Sequence, residues 1–280
     1  MGTEYDIRDG ATPGHSTRLL APHKNKALVV IPARYGSTRF EGKPLAMIDG
    51  VPMIVHVVRR ASKIRNADAI IVATDDNRIK AVVEEAGGTA VMTAVSHPTG
   101  TDRVREAAAW FLHGIVVNVQ GDEPLLPIRP VEKLIDVIRA DTNLMMATLA
   151  SPASDLEDLL RPDVVKVVCD REGNALYFSR SPIPYPESFL RALERKSPGA
   201  LSGRDGARFL RHIGVYAFRR AFLLKYNGLR RGPLEKLERL EQLRALENGY
   251  RVRVLPCRST AIGVDRPEDV KKVEKRLRSR

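Results

Sequence analysis

Apolar residues recur along this chain in two alternating rhythms. Short, nearly continuous runs rich in Val and Ile fall at residues 27–32, 69–74, 89–93, 115–120 and 144–150. Such runs predict strands covered on both faces. Between them the spacing lengthens. Residues 52–64 place Met53, Ile54, Val57, Val58 and Ala61 on one helical stripe. Residues 77–86 and 101–112 follow the same rule, and 130–140 turn Val131, Leu134, Ile135 and Ile138 inward. Strand and helix alternating over more than a hundred residues predict an α/β fold. Its sheet is mostly parallel, has helices on both faces, and is wound by right-handed crossovers.

The rhythm changes after residue 160. VVKVVCD, REGN and ALYFS read as strand, turn and strand, a hairpin centred on Gly173 and Asn174. Arg180 to Arg211 then holds four prolines and no period, as a functional loop or arm would. The end returns to a strand (212–219), a helix (234–248), a strand (251–256) and a terminal helix (267–278). In the 234–248 helix, Leu237, Leu240, Leu243 and Leu246 are expected to face inward. Residues 1–26 are polar and aperiodic and read as a disordered extension. Residues 27–280 then form one domain, with a smaller hairpin subregion at about 160–233.

Composition narrows the classes. With 43% hydrophobic and 29% charged residues, the 280-residue chain suits a globular domain with a sizeable core. No apolar run approaches the roughly 20 residues that span a bilayer, and residues 1–26 lack the apolar stretch of a secretory signal. Cys169, in the apolar run VVKVVCD, is expected to be a small core residue and Cys257 is isolated; the two make no disulfide framework and suit a reducing cytoplasm. The net charge is +12. Six cations against one anion at 271–280, and six against two at 191–211, read as solvated basic surface. No RNA-binding strand motif or zinc-finger spacing accompanies them, so nucleic acid is not an expected partner.

The chemistry concentrates at strand ends. Val29 to Pro44 runs from a buried strand into a loop with Gly36, Ser37, Thr38 and Gly42, and with the cations Arg34, Arg39 and Lys43. A strand feeding a glycine-bearing cationic loop is suited to phosphate. It is not a Walker A loop: five residues rather than four separate Gly36 from Gly42, and Pro44 stands where Ser or Thr would be needed. Asp122 follows Gly121 at the end of an apolar strand, opposite that loop. An acid facing a phosphate loop is what a magnesium–nucleotide site requires. Asp265, just before Pro267, reads equally well as a helix cap.

Eight segments combine into a resemblance: IPARYGSTRFEGKPL, IIVATDD, HPTGTDRV, VVNVQGDEPLLP, ALYFSR, RHIGVYAF, PLEKLERLEQLRAL and GVDRPEDV. Together they closely resemble the CMP-Kdo synthetases (3-deoxy-manno-octulosonate cytidylyltransferases) among the sugar nucleotidyltransferases. The resemblance covers about residues 27–275. It implies in-line attack of the anomeric hydroxyl of Kdo on the α-phosphate of CTP, giving CMP-Kdo and pyrophosphate for lipopolysaccharide synthesis. The runner-up is CMP activation of an amino-Kdo or sialic-acid-like sugar acid. It also implies a Rossmann-like α/β domain with a dimerisation and sugar-binding subregion at about 160–233, Mg²⁺ on Asp122 and Asp265, and a homodimer. Lys43, Arg34 and Asp122 would be the catalytic residues it implies. Arg34, Ser37, Arg39, Lys43, Thr99, Gly100 and Arg103 would bind nucleotide. Gln120, Arg180, His212, Tyr216, Glu241 and Gln242 would bind the sugar acid, with Arg180 as the cation for its carboxylate. Glu41 stands where relatives often have Pro, and an acid fits a triphosphate loop only with its side chain toward solvent.

Overall fold

The computed structural model of the chain describes residues 23–36, 40–153, 156–185, 209–258 and 263–279. Its central sheet is built from strands β1 (His23–Ala33), β4 (Ala69–Thr74), β5 (Ala90–Met92), β6 (His113–Asn118), β7 (Met146–Pro152), β10 (Leu210–Arg219) and β11 (Val252–Pro256). They lie in the order β11-β7-β10-β6-β1-β4-β5. All neighbours on this path pair in parallel except β10, which runs antiparallel to both β6 and β7. A two-stranded ribbon of β2 (Met47–Ile48) and β3 (Val51–Pro52) stands apart.

Alternation along β1 shows why its run of apolar residues is unbroken. Successive side chains of a strand point to opposite faces. Ala27, Val29 and Ile31 join one buried cluster, with Val57 of α1 (Met53–Ala61), Val83 of α2 (Asn77–Glu85) and Leu134 of α4 (Ile128–Ala140). Leu28 and Val30 join another, with Val104 of α3 (Gly100–Ala109) and with Phe222 and Tyr226. Both faces are therefore covered, as a mostly parallel sheet requires.

The hairpin is formed by β8 (Lys166–Cys169) and β9 (Ala175–Ser179), with Gly173 at φ +82° in its turn. It hangs from β10 through Leu210 and Arg211. Lys166 is fully buried inside it, and its ammonium donates to the carbonyls of Arg161, Val164 and Arg180. Burial lowers the Lys166 pKa, so those three carbonyls are what hold the charge there.

Three expectations need correcting. The first strand begins at His23, so residues 23–26 belong to the sheet and not to an extension. The single helix expected at 234–248 is two short ones, Pro233–Glu238 and Leu243–Glu247, broken where Arg239 takes a left-handed conformation at φ +53°. The break rotates Leu237 out to 80% exposure, while Leu240 and Leu243 stay buried. The third is Cys169, which is only half-buried; the fully buried cysteine is Cys257.

The sheet opens beside β1. From there β4 and β5 step one way and β6 the other, so the carboxyl ends of β1 and β6 flank a switch point. Gly121, just past β6, approaches β1 so closely that a Cβ would stand 2.6 Å from the Pro32 carbonyl oxygen. Gly121→Ala should therefore destabilise the fold by about 1–3 kcal/mol through overpacking. A urea midpoint equal to wild type would contradict that contact.

Candidate functional site

A cleft of about 240 Å³ opens at this switch point. Its walls are Pro32 and Ala33 at the end of β1 with Arg34 just beyond, Gln120, Gly121 and Asp122 after β6, and Thr99, Gly100 and Arg103 around the start of α3. Lys43, Pro44, His97, Pro98 and Asp265 complete it. Eight sequence-predicted site residues meet here: Arg34, Lys43, Thr99, Gly100, Arg103, Gln120, Asp122 and Asp265. Ser37 and Arg39 lie outside the described residues, as does the basic segment 186–208.

The centre of the cleft is a charge cluster. The Lys43 ammonium lies 2.5 Å from Asp122 Oδ2 and 3.6 Å from Asp265 Oδ1. Local backbone fixes each member. Gly42, at φ +65°, donates its N–H to the Tyr35 carbonyl and closes the loop, and a one-turn 3₁₀ helix, Lys43–Leu45, with Pro44 in it, carries Lys43. The Tyr35 ring lies 3.5 Å below the Arg78 guanidinium, which Asp76 in turn grips through both carboxylate oxygens. Asp265 arrives because the Val264 N–H donates to the Asp122 carbonyl at 3.0 Å. The cap of the terminal helix Pro267–Arg278 is not Asp265, as the sequence allowed. It is Arg266 with Asp269, whose carboxylate accepts the backbone N–H groups of both Asp265 and Arg266. The Asp265 side chain is thereby left to the cleft. Glu41 is exposed and does not line it.

The opposite wall is the N-terminus of α3. Thr99 caps the helix, accepting from the Asp102 N–H at 3.2 Å, and the helix dipole favours negative charge in front of it. Arg103 is buried. It donates to Asp75 and to Thr93, both at 2.5 Å, which ties α3 to the ends of β4 and β5. His97 bonds Glu106, on the same helix. The sequence loop HPTGTDR contained His97, but its partner nine residues on was the missing signal.

The predicted sugar-acid residues divide between two places. Gln120 Nε2 donates to the Gly214 carbonyl at 3.0 Å, across the gap between β6 and β10. Gly214 belongs to a second cleft of about 280 Å³, lined by Glu123, Asp163, Val164, Val165, Arg211, His212 and Ile213. The two clefts therefore adjoin. His212 is enclosed by Thr148, whose Oγ1 lies 2.9 Å from its Nε2, and by the rings of Phe178 and Tyr216. Burial pushes the His212 imidazole down to about 3, pushes the Tyr216 hydroxyl well above its usual value, and pushes the Glu123 carboxyl up to about 8.

Glu241 and Gln242 sit in the turn between the two short helices, not on a helix face. Glu241 Oε2 accepts from Thr101 Oγ1 at 2.8 Å, one residue beyond the first cleft's Gly100. Gln242 is buried. Arg180 lines neither cleft. Its Nε, Nη1 and Nη2 donate to the carbonyls of Glu238, Pro162 and Arg239. In this arrangement it braces the hairpin and is not a free cation.

Among the described residues no group of three or more His, Cys, Asp or Glu side chains converges as a metal cluster. Asp122 and Asp265 are the pair that converges on one cationic point.

The sequence profile of the cytidylyltransferase family matches residues 28–254, strands β1 through β11. This chain belongs to the cytidylyltransferases. It is 49% identical over 255 residues to the 3-deoxy-manno-octulosonate cytidylyltransferase of Geotalea daltonii, covering 91% of this chain and 99% of that one. With the enzyme of the same name from Syntrophotalea carbinolica it shares 47% over 249 residues, or 89% and 97% of the two chains. A solved CMP:2-keto-3-deoxy-manno-octonic acid synthetase complexed with CTP superposes with a TM-score of 0.81 at 41% identity, covering 91% and 99%. The fold of a cytidylyltransferase thus places the charge cluster and the α3 N-terminus on one crevice.

The buried His212 makes stability of this cytidylyltransferase depend on pH. Neutral in the fold down to about pH 3, its imidazole gains a proton on unfolding below about 6.5. Its stability contribution is therefore full above about pH 6.5 and is lost as pH falls toward about 3. Between pH 7 and pH 5 this amounts to at most about 2 kcal/mol. The urea midpoint of His212→Asn should fall less than that of wild type over this interval; equal falls would place the titration elsewhere.

Proposed function

We propose that this protein transfers the cytidylyl group of CTP to Kdo, giving CMP-Kdo and pyrophosphate, and so activates Kdo for lipopolysaccharide synthesis. The observation that carries the reading is one cation, Lys43, facing two acids, Asp122 and Asp265, at the sheet's switch point. The 41% identical neighbour complexed with CTP supports it. The names of the relatives favour Kdo over the amino-Kdo or sialic-acid-like alternative.

In this reading the anomeric oxygen of Kdo bonds to the α-phosphorus as the bond to the β-phosphate's bridging oxygen breaks. The hydroxyl proton is released, and pyrophosphate is the leaving group. No covalent enzyme intermediate is needed, so the protein's work is positioning and charge stabilisation. Lys43 and Arg34 bind the triphosphate, Lys43 supporting the negative charge that leaves with pyrophosphate. The N-terminus of α3, with Thr99 and Gly100, receives the rest of the nucleotide, and Arg103 holds that helix in place. Gln120, His212, Tyr216, Glu241 and Gln242 form the acceptor side.

Asp122 and Asp265 fit Mg²⁺: two carboxylates that already converge on a cation are the one or two that this ion takes beside phosphate oxygens and water. Bound there, Mg²⁺ would neutralise charge at the α-phosphate and make its phosphorus more electrophilic. Among the described residues no helix is long and apolar enough to cross a membrane. With only two cysteines in the chain, we place the protein in the cytoplasm. The exposed Leu176 and Leu237, on neighbouring elements joined by the Tyr177–Glu238 hydrogen bond, offer a second copy an apolar surface.

A coupled assay of pyrophosphate release from CTP, Kdo and Mg²⁺ tests the reaction; turnover only with another sugar acid would overturn the substrate. Asp122→Asn should lose nearly all activity with its melting temperature kept. Retention of more than about a tenth, roughly 1.4 kcal/mol of barrier, would remove Asp122 from this role. Lys43→Ala should raise the KM for CTP. Light scattering should return twice the mass of one chain, and Leu237→Glu should return one.

A further inference from the structure

Besides the two apolar clusters on the faces of the sheet, a smaller one lies away from it. Ile48, Met53, Leu125, Val264 and Val273 are buried together, with Phe40, Val270 and Leu277 packed against them. Each member of the central charge cluster has a near neighbour there. Ile48 of β2 follows Lys43 along the chain, Leu125 follows Asp122, and Val264 directly precedes Asp265. Val270, Val273 and Leu277 are the inward stripe of the terminal helix Pro267–Arg278. That helix therefore closes the small core from which all three charged groups extend.

The far end of the helix is latched. The tip of the β2–β3 ribbon is a two-residue turn, Asp49 at φ +45° and Gly50 at φ +75°, the Asp-Gly geometry of a tight hairpin. Such a turn does not need the Asp49 carboxylate, because Asn-Gly serves it as well. Yet both ends of Asp49 are bonded to the helix. Its Oδ1 accepts from Arg278 Nε at 3.0 Å and from Arg278 Nη2 at 2.5 Å, and its N–H donates to Glu274 Oε1 at 3.2 Å. Glu274 and Arg278 stand one turn apart on the same side of the helix. The ion pair is open to water, Arg278 being 71% and Asp49 29% exposed, so it shifts an equilibrium by no more than about fivefold. That is too little to carry the fold and enough to bias where a helix end rests.

We propose that Asp49 and Arg278 are positioning residues for the reaction: by tying the terminal helix to the ribbon that continues from Lys43, they hold Asp265 beside Lys43 and Asp122. The assignment rests on the reading of those three residues as the reaction centre. The path between latch and cleft is short and contiguous. The helix begins just after Asp265 and Arg266, the Val264 N–H is held by the Asp122 carbonyl at 3.0 Å, and Val264 packs in one core with Ile48 and Val273. Released at its far end, the helix would pivot on that core, and the Val264 N–H would leave its carbonyl more often. The acid next to it would then spend less time facing Asp122.

Two measurements test this, the first without any ligand. Hydrogen–deuterium exchange of the free protein reads the Val264 N–H directly. Asp49→Asn keeps the turn and removes the charge. It should speed exchange at residues 263–266 about two- to fivefold, the shift open to an exposed ion pair, and Arg278→Gln should do the same. Faster exchange confined to the last turn of the helix would show a local tether and overturn the proposal. The second measurement is pyrophosphate release at saturating CTP and Kdo. Both variants should raise the half-saturating Mg²⁺ concentration by a similar factor, and Arg278→Lys, which keeps the charge, should recover part of the loss. The double variant should be no worse than either single one, since each removes the same contact. Fully additive losses would overturn the pairing. A lowered urea midpoint with wild-type Mg²⁺ dependence would mark a merely structural pair and overturn the positioning role. No turnover of Kdo by wild type would refute the functional reading, and exchange at 263–266 would still decide whether the pair holds Asp265 in place.

Discussion

Two carboxylates cannot be held side by side in a half-buried crevice without a cation between them. Like charges about 4 Å apart repel by roughly 4 kcal/mol at the effective dielectric of a protein surface. Asp122 and Asp265 come from segments more than a hundred residues apart, one at the end of β6 and the other before the terminal helix. Lys43 is the cation that offsets their charge. The constraint reaches outward from it. The loop after β1 must close so that Lys43 can reach inward, which sets the left-handed Gly42 and the Tyr35–Arg78 stack. β6 must end close against β1, which only a glycine at 121 allows. The Gly263–Asp265 segment must run beside Asp122, which fixes where the last helix begins.

The same arrangement makes the crevice ready for its ligands. Where substrate phosphates are absent, Lys43 neutralises the acids. With phosphates present, the acids and the ammonium are each placed for partners of opposite charge. Around this centre the remaining charges are tied down. Arg103 is held by Asp75 and Thr93, Lys166 by three carbonyls, and Arg244 by the buried Glu235 at 2.6 Å. A buried ion pair adds little net stability, because desolvation offsets attraction. Here such pairs serve to fix geometry, Arg103 orienting the helix whose N-terminus faces the cleft.

Much of this was legible in the sequence because local rules sufficed. Strands β1, β4 and β6 are covered on both faces, so their apolar runs are unbroken and their polar ends stand out. That is why Asp122 and the Arg34–Lys43 loop could be read as opposite walls. The unread parts depend on contacts distant in sequence. Leu237 keeps helical spacing with Leu240, yet Arg239 reverses the backbone between them and only Leu240 is buried. Asp265 has the position of a cap, but Asp269 performs that role from within the helix. Nothing in the apolar pattern announces that β10 inserts antiparallel between β6 and β7, because an antiparallel strand covered on both faces reads like a parallel one.

Cations are the hardest residues to assign from sequence for a related reason. A guanidinium is defined by its acceptors, and those come from elsewhere in the chain. Arg180 follows ALYFS at the end of β9 and looks free, yet the break after Glu238 turns the carbonyls of Glu238 and Arg239 onto it. Arg211 lies one position before His212 and looks like an ordinary strand-edge cation. The register shift between Ile213 and Tyr216, where β10 departs from β7, exposes the Gly214 carbonyl to Gln120 and opens the cleft beside Arg211. Two local backbone irregularities, one between helices and one in a strand, thus decide what surrounds these arginines. Glu41 yields to the same kind of reasoning: its loop backbone, fixed by Gly42 and Tyr35, leaves the side chain in solvent, where an acid next to a phosphate site costs little.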